Sequence, residues 1–206
     1  DVNKQEVGIC EECVLCFQSS KCLVQELELE ETVFSEEQRR MRYDYLVLAL
    51  GSVTDTHHLP GPSDDVFTLK SLRDGMLLRN HLIRMFEMAD AEPVSELQKS
   101  FLTFVVVGGG STGVQLITEM RDFIYRFLVK NYPQVKPSLI RIILIQDKDY
   151  LLEGMDAKLG AYALDCLRRK GIDVRLNTRV TGVTAESIQV TGQQEISTQT
   201  LVWVAG

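Results

Sequence analysis

Residues 104–113 read FVVVGGGSTG, an apolar, β-branched run that breaks into three consecutive glycines and then opens a helical pattern. Gly108, Gly110 and Gly113 hold the GxGxxG spacing. The first glycine permits a tight turn, the second lets backbone approach a pyrophosphate, and the third lets the following helix pack closely on the strand. The amides of Gly110, Ser111, Thr112 and Gly113, together with the positive end of that helix, then face an anion. The segment predicts a strand–turn–helix unit that binds a dinucleotide. A ligand-free turn of the same shape is the alternative.

Composition sets bounds on the partners. With 206 residues and 45% hydrophobic content, the chain can bury one large core, or one domain plus a piece of another. A net charge of −7 with no basic block excludes nucleic acid as a partner, because phosphate neutralisation needs clustered Lys and Arg. The uncharged stretch Ser100 to Thr118 contains four glycines, a glutamine and several hydroxyls, so the glycine fingerprint accounts for it better than a bilayer does. Five cysteines and no signal peptide at the start point to a reducing, cytoplasmic setting rather than a disulfide scaffold.

Periodicity divides the rest of the chain. Residues 1 to 43 are rich in Cys and Glu, with alternation at Val24, Leu27 and Leu29 that predicts strands exposed on one face. Tyr45 to Leu50 reads as a buried strand ending at Gly51, followed by a loop with His57, His58 and the turn Pro60-Gly61-Pro62. Ser71 with Asp74 makes a capping-box-like start for a helix carrying Leu72, Met76, Leu78, Leu82, Met85, Phe86 and Ala89, closed by Pro93. Beyond the glycines, Val114, Ile117, Met120, Ile124 and Phe127 form the inner stripe of a second helix, ended by Asn131, Pro133 and Pro137. A strand at Ile142–Ile145, a helix at Ala157–Lys170 and a strand at Ile172–Leu176 after Gly171 follow. Short antiparallel strands at Val180–Val183 and Ile188–Val190 precede a final buried strand at Leu201–Val204. This alternation predicts an α/β fold: a Rossmann-like domain with a parallel sheet covered on both faces, plus a small antiparallel β meander.

Four linked segments resemble the flavin and pyridine-nucleotide oxidoreductases, and within them the type II NADH dehydrogenases. YDYLVLALGS from Tyr43 resembles the family's strand ending in Ala-Thr-Gly, and KSLRDGMLLRNHLIRMFEMA its helix after the first crossover. LTFVVVGGGSTGVQL is similar to its second nucleotide fingerprint, and LVWVAG at Leu201 to Gly206 to its second strand-to-glycine element. The resemblance runs from about Leu27 to the last residue. It implies an FAD-dependent NAD(P)H dehydrogenase with a membrane quinone as final acceptor. It further implies that residues 1–96 are part of an FAD-binding domain with a crossover helix, and that 97–206 are the NAD(P)H-binding domain. Gly51, Ala205 and Gly206 would lie at the flavin rim, and Val180 beside the nucleotide. Because the family's first GxGxxG and its later Gly-Asp element have no counterpart here, this chain alone is expected to be colourless and inactive. Membrane attachment would come only through segments outside it, and a homodimer is compatible with the family. A different acceptor (a disulfide, sulfide or carrier protein) and a non-catalytic nucleotide-binding module are the alternatives.

Several residues depart from that pattern. Gln146 ends the second strand, where an acid usually accepts from the adenosine ribose; an amide does not repel a 2′-phosphate, which leaves NADPH open, although Asp147 alongside restores some acidic character. The alternative for Gln146 is a solvated strand end. Gln115 stands where the family commonly carries a glutamate near the nicotinamide, and an amide is no general acid or base. Glu119, one turn on, is the nearest substitute, or simply an exposed carboxylate. Cys10, Cys13, Cys16 and Cys22 have the compactness of zinc or iron–sulfur ligation, but the spacing beyond matches no standard site, so they are read as packing or free thiols with no metal. His57 and His58 read as surface residues, His81 as a helix residue with no obvious partner, and Cys166 as core. Trp203 reads as core, with stacking on adenine the alternative.

Overall fold

A computed structural model describes residues 5–7, 41–43, 45, 47, 49, 61, 66–92, 96–192 and 194–205. The Cys10–Cys22 cluster, His57, His58, Gly51, Gly206 and the strands expected around Val24 to Leu29 lie outside them. The chain divides into two compact units, Asp1–Ser52 and Val53–Gly206.

In the first unit, β1 (Gln5–Val7) pairs antiparallel with β2 (Met41–Tyr43). The strand expected from Tyr45 does not form at its described positions: Tyr45 and Val47 are exposed, and Ala49 carries no strand geometry. An apolar strand is buried only when neighbours complete its ladder, and no described strand pairs with this one.

The second unit opens with β3 (Val66–Phe67) and α1 (Leu72–Ala91). The Ser71 hydroxyl accepts from the Asp74 N–H while the Asp74 carboxylate accepts from the Ser71 N–H at 2.7 Å, a reciprocal cap that fixes the helix start. The backbone N–H groups of Lys70 and Ser71, both donating to it, hold the Asp74 carboxyl below its ordinary range. Leu78, Leu82, Met85, Phe86 and Ala89 are buried, whereas Leu72 and Met76 are exposed. Both face outward because the buried stripe is set by the sheet below, and it starts only at Leu78.

A six-residue helix, α2 (Glu96–Phe101), leads into β4 (Thr103–Val107), and α3 (Ser111–Phe123) follows the glycines. α3 passes directly into a π-helical segment, Ile124–Leu128, and the short α4 (Val129–Asn131). The π turn takes one extra residue, which advances the inner stripe. Leu128 is therefore buried, and Phe127, expected inside, is 59% exposed. β5 (Arg141–Ile145), α5 (Ala157–Arg169) and β6 (Asp173–Arg175) continue the alternation. Gly171, at φ +79°, makes the turn after α5. The strands β7 (Val180–Val183), β8 (Ser187–Val190) and β9 (Gln194–Ser197) form an antiparallel meander, of which β9 carries too little apolar pattern to be read from sequence. β10 (Thr200–Trp203) closes the unit.

The parallel sheet has the order β3-β10-β4-β5-β6. Beyond their first residues, Thr103, Arg141 and Thr200, its central strands are apolar because both faces are covered. Phe104, Val106, Ile142, Leu144 and Val202 point to the helices, sharing a core with Phe86, Ile117, Met120 and Ile124. Their neighbours Val105, Val107, Ile143, Ile145, Leu201 and Trp203 point the other way, onto Val180, Val183, Ile188, Val190 and Ile196 of the meander. One cover is thus helical and the other is the antiparallel sheet.

His81 has partners after all. Its Nε2 lies 3.0 Å from the Gln199 carbonyl oxygen and 2.9 Å from Thr200 Oγ1, and its ring lies 4.5 Å from that of Phe67. A carbonyl oxygen can only accept, so Nε2 carries the proton in the neutral ring. Burial lowers the His81 pKa below the ordinary 6.5, against the Gln199 bond that raises it, with Arg84 adding to the lowering. The unfolded chain therefore binds the extra proton more readily, and His81 contributes stability that is complete above pH 6.5 and lost as pH falls through its folded-state value. The thermal midpoint is expected to drop between about pH 7.5 and pH 5.5, and His81→Gln to flatten that drop. An unaltered pH profile in the variant would contradict the assignment.

Cys166 is half-buried rather than core. Its sulfur accepts from the Arg169 guanidinium at 3.2 Å, on the solvent side of α5, while Leu167 supplies the buried contact.

Candidate functional site

The carboxyl ends of β4, β5 and β10 meet where the strand order reverses, the place at which open α/β sheets take ligands. A cavity of about 410 Å³ lies there, lined by Val107, Gly108, Ile145, Gln146, Asp147, Thr178, Arg179, Val180, Trp203 and Ala205.

Each glycine of the turn has a separate geometric reason. Gly108 sits at φ +118°, and a Cβ on it would come within 2.8 Å of the Ala205 nitrogen, so the turn packs against the backbone leaving β10. A Cβ on Gly113 would lie 1.8 Å from the Gly108 carbonyl oxygen. The helix start and the turn therefore touch backbone to backbone. Gly110 is the exception: a Cβ there meets nothing within 4 Å, at an ordinary φ of −71°. Its lack of a side chain serves the space outside the protein rather than the fold.

α3 is also the long helix of this unit without a side-chain cap at its start. Ser71 caps α1, and Asp156 caps α5 by accepting from the Lys158 N–H at 2.8 Å. At α3 the cap residue is Gly110, and the exposed Ser111 and Thr112 open the first turn with no acid among them. The first N–H groups are thus available to an anion.

Gln146 is buried, not a solvated strand end. Its Oε1 accepts from the Gly109 N–H at 2.7 Å, which satisfies a turn amide and fixes the side chain. A Cβ on Gly109 would meet the side chains of Leu151 at 2.6 Å and Gln146 at 3.0 Å, so any side chain at the middle glycine, outside the GxGxxG pattern, would displace them. The Leu152 N–H donates to the Gly109 carbonyl at 2.8 Å from a left-handed backbone, φ +59°. The loop after β5 closes the back of the turn in this way.

The loop after β6 is tied to the same strand end. The Asn177 N–H donates to the Lys148 carbonyl and the Thr178 N–H to that of Gln146, both at 2.9 Å. These bonds place Thr178, Arg179 and Val180 on the cavity wall. Arg179 faces the Asp147 carboxylate at 3.6 Å.

Of the residues singled out by sequence, Gly108, Gln146, Asp147, Val180 and Ala205 line the cavity together with Trp203. Trp203 is 8% exposed and packed in the meander-side core. Gly110, Ser111, Thr112 and Gly113 form the helix start beside it. Gln115 and Glu119 stand on the exposed side of α3 and do not line the cavity. Sequence reasoning missed Thr178 and Arg179, whose one signal was their place in the loop just beyond a parallel strand. No described helix is long and apolar enough to cross a membrane.

Comparison with known proteins agrees with this geometry. A model of the pyridine nucleotide-disulphide oxidoreductases matches residues 7–206. The chain is 37% identical over 169 residues to External alternative NAD(P)H-ubiquinone oxidoreductase B3, mitochondrial, of Arabidopsis thaliana, covering 80% of this chain and 29% of the relative. It is 34% identical over 193 residues to External NADH-ubiquinone oxidoreductase 2, mitochondrial, of Saccharomyces cerevisiae, covering 91% and 34%. It therefore spans about a third of the length of these relatives. Among solved structures, NDH2 from Plasmodium falciparum in complex with NADH superposes with a TM-score of 0.74 at 26% identity, over 82% of this chain and 36% of that one. A glycine turn at the reversal of a parallel sheet, an antiparallel cover on one face and a family match across nearly all of its residues place this chain in the pyridine nucleotide-disulphide oxidoreductase family.

Proposed function

We propose that the chain is the nucleotide-binding part of an FAD-dependent NAD(P)H dehydrogenase that passes electrons to a quinone. The observation that carries the reading is the contrast at the glycine turn: Gly108 and Gly113 are closed against backbone, while Gly110 opens onto free space at an uncapped helix start. The named activities of the relatives support the quinone acceptor.

In this reading the amides from Gly110 through Ser111 and Thr112 to Gly113 hold the pyrophosphate, with Gly108 letting the chain turn beneath it. Gln146 and Asp147 meet the adenosine ribose, and Val180 walls the nucleotide cavity. Ala205, at the end of the cavity lining, belongs to its flavin side. Residues 1–96 are then part of the FAD-binding domain, with α1 as the crossover helix that packs on the sheet of the NAD(P)H-binding domain, 97–206. The chemistry that bound FAD would supply there is acceptance of a hydride from the nicotinamide. Gln115 cannot exchange a proton at neutral pH, and Glu119, one turn on, is the nearest carboxylate along α3. The intact protein is read as attached to a membrane surface through other segments, in keeping with relatives named as external and mitochondrial.

Gly110→Val tests the carrying observation. The backbone there suits any residue and the side chain would point into open space, so folding is preserved while the pyrophosphate position is filled. Calorimetric titration is expected to show NADH affinity reduced at least about tenfold, or about 1.4 kcal/mol, with the thermal midpoint little changed. Equal NADH affinity in the variant and the parent chain would overturn the proposal.

A further inference from the structure

We propose that Trp203 is a ligand-contacting residue, whose indole N–H donates to an oxygen of the nicotinamide riboside half of the bound dinucleotide. The inference rests on the nucleotide-binding reading above and adds to it a side chain that grips the half of the coenzyme which reacts.

Polarity is divided unevenly around the cavity. Gln146 and Asp147 at the end of β5, with Thr178 and Arg179 in the loop after β6, bring an amide, a hydroxyl and two charges. At the ends of β4 and β10 the lining is Val107, Gly108, Trp203 and Ala205, and Nε1 of Trp203 is the one polar side-chain atom among them. The pyrophosphate site at the start of α3 lies between these ends, so the two halves of a dinucleotide extend from it in opposite directions along the sheet edge. With adenosine at the polar end, nicotinamide riboside lies against β10 and Trp203.

Packing holds the ring in place. Trp203 stands beside Val107 in the parallel ladder and belongs to the core shared with the meander, which leaves 8% of it exposed. A tryptophan buried to that degree ordinarily finds an acceptor for its N–H. Here no described group accepts from Nε1. The other buried polar side chains at β10 are all engaged: Thr198 Oγ1 donates to the Thr103 carbonyl at 2.6 Å, and Thr200 Oγ1 lies 2.9 Å from His81 Nε2. Trp203 differs from them in lining the cavity, so its acceptor comes from what fills the cavity. An indole N–H only donates, and the nicotinamide half offers it ribose oxygens and the carboxamide carbonyl. Being uncharged, the donor also avoids the repulsion that a lysine or arginine there would exert on the cationic ring of NAD.

Trp203 is the only tryptophan of the chain, so a tryptophan analogue supplied during expression enters at this position alone. Benzothienylalanine keeps the bicyclic shape and puts sulfur where the N–H was. Calorimetric titration of NADH, ADP-ribose and AMP into that form, and into Trp203→Phe, isolates the hydrogen bond. NADH affinity is expected to fall about three- to tenfold in both, the scale of one neutral hydrogen bond, and AMP, which lacks the nicotinamide half, to change less than about twofold. ADP-ribose keeps the second ribose and lacks the carboxamide. A loss for it equal to that of NADH assigns the acceptor to the ribose, and an unchanged affinity assigns it to the carboxamide. A Trp203 that serves the core alone would weaken NADH and AMP alike, or neither, and either result would overturn the assignment. Should Trp203→Phe fail to fold, the benzothiophene form, which preserves the packing, decides the matter. If NADH and AMP both fail to bind the parent chain, the nucleotide-binding reading falls as well. Parental affinity for NADH in the benzothiophene form removes the role of Trp203 alone.

Discussion

Gly113→Ala is expected to cost the fold more than about 3 kcal/mol, a loss that belongs among the exceptional single substitutions. The added methyl carbon would sit 1.8 Å from the Gly108 carbonyl oxygen and 3.0 Å from its carbon. Both are backbone atoms, so no rotamer relieves the contact. Gly108 has little room to retreat, because even a Cβ on it would come within 2.9 Å of the Val204 and Ala205 backbone, and its N–H donates to the Ile145 carbonyl at 2.9 Å. The helix start would have to lift off the end of β4, which breaks the packing of Ile117 against the sheet and opens the anion site at once. Urea unfolding followed by the fluorescence of Trp203, which is buried at the end of β10, reads the effect directly. Gly110→Ala is the matched control, with an expected cost below about 1 kcal/mol, that of exchanging a tolerable helix cap for a poor one. A midpoint shift equivalent to less than about 1 kcal/mol in Gly113→Ala would refute the close-approach argument.

The two glycines also show what a sequence can and cannot disclose. Gly108, Gly110 and Gly113 were legible as a set because their spacing serves a known geometry. That Gly109 is also crowded was not, since its constraint comes from the side chains of Leu151 and Gln146. These are contacts across 37 residues or more. The parallel strands were legible for a similar reason: unbroken apolar runs such as Phe104–Val107 and Ile142–Ile145 have only one stable use, burial on both faces. β9 escaped notice because Gln194, Glu195 and Ser197 are exposed and only Ile196 is buried, which leaves no alternation to detect. The π turn at Ile124–Leu128 was equally invisible, for a helical wheel assumes one period, and an inserted residue changes which side chain reaches the core. At the site, the end of β5 was marked by strand position, but Arg179 was not. Its approach to Asp147 depends on hydrogen bonds from residues 177 and 178 to carbonyls some 30 residues earlier, which no local pattern encodes. His81 belongs to the same class: its partners Gln199 and Thr200 are more than 100 residues away.

Phe86→Ala is expected to lower stability by about 3–5 kcal/mol, the range for emptying a buried aromatic site. Phe86 has no exposed surface and stacks on Phe104 of β4 at 6.1 Å and 9° between ring planes, with Tyr132 at 5.7 Å on another side. The position tests where α1 belongs. Sequence grouped this helix with residues 1–96, while in the structure it packs on the nucleotide-binding sheet within the unit Val53–Gly206. If that packing is integral, the loss appears in the single cooperative transition of the unit, with the urea midpoint lowered and the slope unchanged. If α1 were an appendage, the variant would lose less than about 1 kcal/mol from the main transition, or α1 would unfold separately and change the slope. NADH affinity separates this role from a direct part in binding. Phe86 belongs to the helix-covered face, and none of the cavity's lining residues is on α1. Under conditions where the variant remains folded, its NADH affinity should therefore stay within about twofold of the parent, since contacts removed on the far face of a rigid sheet leave the site unstrained. A large loss of affinity with little loss of stability would contradict both the placement of α1 and the separation of the helical core from the nucleotide cavity.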